Sequence, residues 1–274
     1  RFFTKVLRDL NYLNIGEPFK GLFTQGMVTH KTFKNKEGDW LEPQEVEELK
    51  GVMVDKNNSE VRVGKIEKMS KSKKNVVNPS KIIDLYGADT ARWFMLSDSP
   101  PERDLEWTER GVSASHKFIN RLWDLCLKAK NYNPENKKDD CDLVVFDNLV
   151  ESITLNIESF HFNKSVANIY EYVNFTNKYI DNKKISELSL KVIIKKLALV
   201  VQPFIPHISE EIWLLVGGEG LCVNASWPKL KKELSNKQIT LPIQINGKTR
   251  SLIVISKKMI KIQLFLKQKK IRRL

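Results

Sequence analysis

Residues 108–216 repeat their apolar side chains at the spacing of an α-helix, and this long run limits the folds that the chain can adopt. Four apolar stripes follow one another: Phe118, Leu122, Leu125 and Ala129; Phe146, Leu149, Ile153, Ile157 and Phe160; Val166, Ile169, Val173 and Ile180; and Val192, Leu199 and Val200. Polar breaks at Asn133-Pro134 and Asn182-Lys183-Lys184 separate the stripes, as an antiparallel bundle requires. The pattern predicts a helical bundle within residues 108–235.

The chain before this bundle has a mixed α and β pattern. Residues 1–14 predict an amphipathic helix, and residues 21–28, apolar on both faces and bounded by glycines, are typical of a buried parallel strand. Residues 30–64 are polar with hairpin-like turns, which predicts a small inserted β-rich unit. Residues 79–86 and about 89–96 predict two short helices, the second of which buries its aromatic side chains.

The end of the chain combines a hairpin signal with a basic tail. Residues 239–245 and 248–255 alternate in hydropathy on either side of Asn246-Gly247, and this dipeptide favours a two-residue hairpin turn. The tail, residues 256–274, carries eight basic residues and no acid, and it accounts for much of the formal charge of +13. A basic chain favours a polyanionic partner, but the body before the tail is only mildly basic.

Several classes of site are unfavoured by the sequence. No apolar run reaches the roughly 18 to 20 residues that a membrane helix needs, so we expect no membrane partner. The three cysteines, Cys126, Cys141 and Cys222, lack metal-binding spacing, and we therefore expect no metal site. Their odd number in a chain without a signal peptide favours reduced thiols and a cytoplasmic location.

Residues 65–74, the lysine segment, concentrate the chemistry of the chain. They place five lysines and two serines in ten positions against a single acid, Glu67. Mutual repulsion keeps such a segment mobile until an anion binds, and ammonium groups, hydroxyls and backbone N–H groups together suit a polyphosphate. A solvated basic loop or a basic targeting patch is the commoner explanation of a lysine-rich run. The order of the residues, described next, favours a polyphosphate-binding loop over a solvated or targeting basic patch.

Lys68-Met69-Ser70-Lys71-Ser72 matches the Lys-Met-Ser-Lys-Ser signature of class I aminoacyl-tRNA synthetases. The sequences at residues 75–79, 86–92 and 203–213 resemble the leucine, valine and isoleucine enzymes of that class. Residues 99–107 and 244–250 resemble leucyl-tRNA synthetases in particular. The resemblance extends from residue 1 to about residue 255, which is nearly the whole chain.

This resemblance implies the fold class. It is an α/β fragment of a class I nucleotide-binding fold, followed by an α-helical anticodon-binding-type bundle and a short β hairpin unit. The implied divisions are residues 1–29 as the end of the nucleotide-binding domain, 30–64 as an inserted β-rich unit, 65–107 as the signature loop and stem-contact helices, 108–235 as the bundle, 236–255 as the start of a C-terminal domain, and 256–274 as the basic tail.

The resemblance also implies a reaction, the ATP-dependent attachment of leucine to tRNA(Leu) through a leucyl-adenylate. It makes Lys71 the first-choice catalytic residue and Lys68 the second. With these two lysines, Ser70, Ser72 and the backbone of Met69 are implied to bind ATP. Mg²⁺ is expected on the phosphates of the nucleotide and not in a protein cage.

Two basic residues are implied to hold the tRNA backbone. Lys117 and Arg121 stand four residues apart and therefore share a helix face opposite the apolar stripe. A solvated surface is the commoner explanation of such a pair. Lysine at position 117, where the family more often has arginine, weakens bidentate contact with a phosphate.

One family signature has no counterpart in this sequence. Class I enzymes carry His-x-Gly-His in the first half of the nucleotide-binding fold, whereas the histidines here have other spacings: His30, His116, His161 and His207. We expect that half and the leucine pocket to precede residue 1, so that the chain alone is inactive and a separately encoded N-terminal half is a partner. The alternative is a noncatalytic tRNA-binding module or remnant. His30 is expected at the surface and His207 in a structural role.

Overall fold

The computed structural model describes residues 1–133 and 141–229, together with the backbone of residues 238–245 and 248–256. Contacts divide the chain into two compact units, residues 1–121 with 159–166, and residues 122–158 with those from 167 onwards. The finer division expected from the sequence remains a prediction. Among the described residues, none of the helices combines the length and the apolarity needed to cross a membrane.

The first unit contains a four-stranded sheet centred on β1 (Val28–Lys34). β1 pairs antiparallel with β2 (Trp40–Leu41) and β5 (Arg62–Lys68), and parallel with β6 (Leu105–Glu106). A separate hairpin consists of β3 (Val46–Leu49) and β4 (Val52–Asp55). A small core joins these strands, formed by Phe33, Val46 and Val61 with Leu41 and Met53.

The predicted buried strand over residues 21–28 is wrong. β1 begins only at Val28, and Leu22 is 91% exposed. Apolar residues on both faces of a short run do not distinguish a buried strand from exposed irregular chain. Gly26 donates its N–H to the carbonyl oxygen of Pro101 at 2.8 Å, and a Cβ at Gly26 would lie 2.1 Å from the carbonyl oxygen of Arg103. Glycine is therefore needed here for the close approach of two backbone segments.

The N-terminal helix predicted over residues 1–14 is confirmed in a shorter form. α1 (Phe2–Asp9) ends early because Asn11 adopts a left-handed conformation with φ 62°. The amides of Asn11 and Tyr12 donate to the last helical carbonyl oxygens, which closes the helix end. The apolar face of α1 is exposed to solvent.

Two helices follow the lysine segment, as predicted. α2 (Pro79–Tyr86) begins where the side-chain oxygen of Asn78 accepts the N–H of Ser80 at 3.0 Å. Gly87, with φ 84°, separates α2 from α3 (Ala88–Ser97), and this backbone conformation is one that glycine adopts without steric cost.

The predicted burial of the aromatic residues of α3 is confirmed. Trp93 is fully buried and stacks on Phe118, with ring centroids 4.6 Å apart. Phe94 meets Trp107 edge to face at 5.1 Å and packs with Leu105 and other apolar residues in a second core of this unit. These contacts fix α3 against the first turns of the long helix that follows.

Five long helices confirm the bundle pattern of residues 108–216: α4 (Glu109–Lys130), α5 (Leu143–Glu158), α6 (Phe162–Asp181), α7 (Glu187–Val201) and α8 (Pro206–Leu215). The boundary between the units falls within α4 and α6. In the second unit Tyr172 packs against Phe146 and donates its hydroxyl to the carbonyl oxygen of Ile193 at 2.9 Å. Burial and a nearby carboxylate, that of Asp147, raise the pKa of Tyr172 well above its usual value, so the phenol stays protonated and can donate.

Three details of the predicted bundle are corrected. The predicted buried stripe of α7 includes Val192, but this residue is 45% exposed. Ile193 and Ile194 are buried instead. α7 is apolar over most of its surface, so its periodicity does not identify the inner face. Glu210 lies beyond the first turn of α8, and its carboxylate accepts the backbone N–H groups of Cys222 and Val223 at 2.6 and 2.9 Å. It therefore fastens a loop to α8. Phe160, predicted in the stripe of α5, lies beyond the end of that helix and is 48% exposed.

β7 (Gln238–Ile245) and β8 (Lys248–Ser256) pair antiparallel, which confirms the predicted hairpin strands. The predicted turn at Asn246-Gly247 and the basic tail from residue 257 onwards lie outside the described residues. His207 is exposed in the first turn of α8.

The cysteines should differ in reactivity, since none of the three takes part in a disulfide. Burial raises the pKa of Cys126 to about 12 and also raises the pKa of Cys222, whereas Cys141 is only half-buried. Because the thiolate is the reactive form, iodoacetamide at pH 8 should modify Cys141 first. Mass spectrometry of the native chain should find Cys126 unmodified until urea unfolds it. Equal labelling of Cys126 in the folded and unfolded chain would contradict this burial.

Candidate active site

The lysine segment forms the end of a strand and a tight turn. β5 ends at Lys68, and Ser70 caps the 3₁₀ helix Lys71–Lys73, its hydroxyl oxygen accepting the N–H of Lys73 at 3.4 Å. The hydroxyl oxygens of Ser70 and Ser72 lie 3.3 Å apart. Lys74 ends the turn in a left-handed conformation with φ 52°. The segment predicted from its charge to be a mobile loop thus has a defined local structure.

Asn75 joins this turn to the sheet. Its side chain is fully buried, and its Oδ1 accepts the N–H of Ser70 at 2.8 Å. Its Nδ2 lies 3.2 Å from the carbonyl oxygen of His30, 3.3 Å from that of Glu67 and 3.4 Å from that of Lys68. One amide therefore contacts β1, the end of β5 and the start of the turn.

The lysines of the turn differ in their charge partners. Lys73 forms an ion pair with Glu67, the only acid of the lysine segment. In the part of the chain that the structure describes, no carboxylate forms an ion pair with Lys68, Lys71 or Lys74. All three are exposed, so their ammonium groups are available to an external anion.

Lys71 and Lys74 line an open cleft of about 650 Å³. The other walls come from β1, from residues 42–44, from α2 and the segment before it, and from the start of α4. They contribute both polar and apolar side chains, which include His30, Gln44, Lys81, Ile82, Trp107 and Glu109. The structure thus brings Lys71 to the cleft, whereas Lys68, Met69, Ser70 and Ser72 are not among the described residues that line it.

The expectation that His30 is a surface residue is wrong. The residue is 9% exposed, because β1 lies between β5 and β6. Its Nδ1 lies 2.8 Å from the carbonyl oxygen of Lys31, and since a carbonyl only accepts, Nδ1 carries the proton in this contact.

Lys74 and Asn75 were missed as site residues by sequence reasoning. Asn75 directly follows the basic run, and a buried amide is not recognisable there from composition. The same helix face that carries Lys117 and Arg121 also carries Arg110, seven residues before Lys117. All three are exposed on α4, and the guanidinium of Arg121 lies 5.6 Å from the centre of the Phe118 ring.

The cation that would accompany phosphates has no preformed protein cage in the described residues. Within residues 1–133 and 141–229, no group of three or more His, Cys, Asp and Glu side chains is arranged to hold a metal ion. Lys71, Lys74 and Lys81 bring positively charged side chains to the cleft.

Comparisons with known proteins agree over nearly the whole chain. The family model described as tRNA synthetases class I (I, L, M and V) matches residues 50–108, and the one described as anticodon-binding domain of tRNA ligase matches residues 143–264. The leucine–tRNA ligase of Zymomonas mobilis is 42% identical over 94% of this chain, and that of Orientia tsutsugamushi is 45% identical over 92%. The chain spans 30% of the length of each of these relatives.

A solved structure of a leucyl-tRNA synthetase is also similar to this chain. The crystal structure of a ternary complex of LeuRS from Agrobacterium radiobacter with tRNA and LeuAMS matches 100% of this chain and 32% of that chain, with a TM-score of 0.67 and 26% identity. The class I match contains the lysine segment, and the anticodon-binding match contains the helices from α5 to α8. The chain therefore belongs to the leucyl-tRNA synthetase family of the class I aminoacyl-tRNA synthetases and corresponds to the C-terminal part of those enzymes.

Proposed function

We propose that this chain supplies the signature loop and a tRNA-binding surface for the ATP-dependent attachment of leucine to tRNA(Leu). The observation that supports the proposal most is the position of Lys71, which lines the cleft and has no ion-pair partner among the described residues. The proposal includes a cytoplasmic location and a separately encoded N-terminal half, which supplies the leucine pocket and the His-x-Gly-His signature.

In the first step a carboxylate oxygen of leucine attacks the α-phosphorus of ATP. The bond between that phosphorus and the oxygen bridging to the β-phosphate breaks, and pyrophosphate leaves with the electron pair. Negative charge therefore grows on the leaving phosphates. A preorganised cation that meets this charge better in the transition state than in bound ATP lowers the barrier, and one such contact is worth on the order of 3 kcal/mol.

Lys71 is the residue that we assign to this contact. It lies in the 3₁₀ helix of the signature and lines the cleft. Lys68 is the second candidate for this contact, because it is the last residue of β5 and lies just before the turn. Ser70, Ser72 and the backbone of Met69 shape the turn around the phosphates, and Mg²⁺ is proposed to arrive with the nucleotide.

In the second step the leucyl group passes from the adenylate to a ribose hydroxyl at the end of the tRNA. The basic face of α4 is proposed to hold the tRNA backbone. Lys117 and Arg121 are exposed there, and Phe118 lies beneath the guanidinium of Arg121, which restricts its movement. Such contacts fix the position of the tRNA but do not read its sequence.

The α4 contacts predict a salt-dependent change in affinity. Lys117→Gln and Arg121→Gln should each weaken binding of tRNA(Leu) and lower the slope of log Kd against log salt by about 1, since each removes one phosphate contact. The control is Lys56→Gln, which changes an exposed lysine in a turn of the first unit. The measurement is filter binding at several salt concentrations. An unchanged slope in both variants would remove these residues from the proposed surface.

A noncatalytic tRNA-binding module is the second candidate function. It is supported by the match to the anticodon-binding model over residues 143–264. The two candidates differ in whether the chain binds ATP. Calorimetric titration of the chain with ATP and Mg²⁺ separates them: binding that Lys71→Ala weakens at least tenfold supports the first, and no binding to a folded chain supports the second.

A further inference from the structure

Asn75 is the one fully buried amide in the described first unit that contacts three separate parts of the site. Burial of an amide is unfavourable unless its polar atoms are hydrogen-bonded. Here the oxygen has a backbone N–H at 2.8 Å, and the nitrogen faces three carbonyl oxygens at 3.2 to 3.4 Å. The surrounding backbone is therefore arranged around this side chain.

These contacts fix the two ends of one short turn. Asn75 directly follows the last residue of the turn, and its side chain contacts Ser70 at the start and the carbonyl oxygens of Glu67 and Lys68 just before it. The contact with the carbonyl oxygen of His30 joins the turn to β1, the central strand of the sheet. Between the fixed ends lie Lys71 and Lys74, the two lysines of the turn that line the cleft.

We infer that Asn75 is a positioning residue, which anchors both ends of this turn to β1 and so directs Lys71 and Lys74 towards the cleft. It touches neither phosphate nor metal in this role. The anchoring itself follows from the contacts above, and its effect on phosphate binding rests on the proposed function. We therefore expect the buried side chain of Asn75, and not a network of ion pairs, to oppose the mutual repulsion of the lysines.

The test is a pair of variants with a matched control. Asn75→Ala removes all four contacts. Asn75→Asp keeps the size of the side chain and an oxygen near the Ser70 N–H, but its second oxygen replaces Nδ2 and is repelled by the three carbonyl oxygens, which displaces the side chain. Asn57→Ala is the control, since Asn57 is exposed in the turn after β4 and is not among the described residues that line the cleft. Hydrogen exchange with mass spectrometry follows the peptide that contains Ser70 and, as an internal reference, a peptide from β1 and β2.

The expected result is that both Asn75 variants exchange the Ser70 amide at least tenfold faster than the wild type, while the β1 and β2 peptide is unchanged. A purely structural residue would accelerate exchange in both peptides together, and the Asn57→Ala control should accelerate it in neither. An unchanged Ser70 amide in both Asn75 variants, or equal acceleration of the whole unit, would overturn the inference. One folded Asn75 variant is enough to decide whether Asn75 anchors the turn. If neither variant folds, Asn75 is needed for general stability, and the positioning role is overturned as well.

Titration with pyrophosphate and Mg²⁺ tests the second part separately. If the turn directs the lysines, the Kd for pyrophosphate should rise at least fivefold in the Asn75 variants and stay within twofold of the wild type in Asn57→Ala. Equal binding by the wild type and the Asn75 variants would contradict the positioning role. A wild-type chain that binds no pyrophosphate would contradict the proposed function, and the exchange rates would still decide whether Asn75 anchors the turn.

Discussion

Lys71→Ala is expected to slow leucine-dependent ATP–pyrophosphate exchange about 100-fold in a mixture of this chain with the N-terminal part of a leucyl-tRNA synthetase. The loss of one preorganised cation at the leaving phosphates costs on the order of 3 kcal/mol in the transition state, which corresponds to that factor in rate. The effect should appear mainly in kcat, because the charge at this position matters most when the phosphate bond breaks.

Two further variants make this result specific to the position of Lys71. Lys68→Ala should have a smaller effect, since Lys68 lies at the end of β5 and is not among the residues that line the cleft. Lys56→Ala removes an equal charge from an exposed turn elsewhere in the first unit and should leave the rate unchanged. Equal losses in all three variants would mean that only net charge matters, and the assigned role of Lys71 would be wrong.

Trp93→Ala is expected to lower the free energy of unfolding by about 3 to 5 kcal/mol, the range for large aromatic residues removed from a core. Trp93 is 0% exposed and stacks on Phe118 at 4.6 Å, so the substitution leaves a cavity between α3 and α4 in the first unit. Urea unfolding followed by circular dichroism measures the change.

The control for this prediction is an aromatic residue at the surface. Phe3 is 77% exposed on α1, and Phe3→Ala should change the free energy of unfolding by no more than about 0.5 kcal/mol. Trp93→Phe, which keeps an aromatic ring against Phe118, should cost less than the alanine variant. A loss below about 1 kcal/mol for Trp93→Ala would show that this contact does not support the first unit.

The helices were predictable because their signals are local. α2 has proline in its first turn, a capping asparagine before it and glycine after it, and these three features fix its bounds without reference to the rest of the chain. The α4, α5 and α6 stripes have one apolar face each, so periodicity identified the buried side. α7 has too many apolar residues for the same argument, and the wrong side was chosen for Val192.

The errors in the first unit have a different origin, since pairing between distant segments is not encoded in a local pattern. The backbone of Gly26 meets residues 101–103, and β1 pairs with β6 more than seventy positions later. That pairing decides that the strand begins at Val28 and that His30 is buried. A sequence alone offers Gly26 as a strand boundary and His30 as a surface residue.

In the candidate site, too, the sequence predicts what depends on neighbouring residues and misses what depends on contacts between distant segments. The signature identified Lys68 to Ser72 from residue order alone. Which lysine lines the cleft depends on the direction of the 3₁₀ turn, and that direction depends on contacts of Asn75 with β1 and β5. The resemblance ranked Lys71 before Lys68, but the order of the residues gave no reason to include Lys74.

We propose that this chain carries catalytic groups of a leucyl-tRNA synthetase and needs an N-terminal half to use them. Leucine-dependent ATP–pyrophosphate exchange, measured on the chain alone and on its mixture with the N-terminal part of a leucyl-tRNA synthetase, tests it most directly. We predict exchange in the mixture and none with either part alone. No exchange in the mixture, with the chain shown to be folded and the N-terminal part to bind leucine, would contradict the claim and leave a tRNA-binding module.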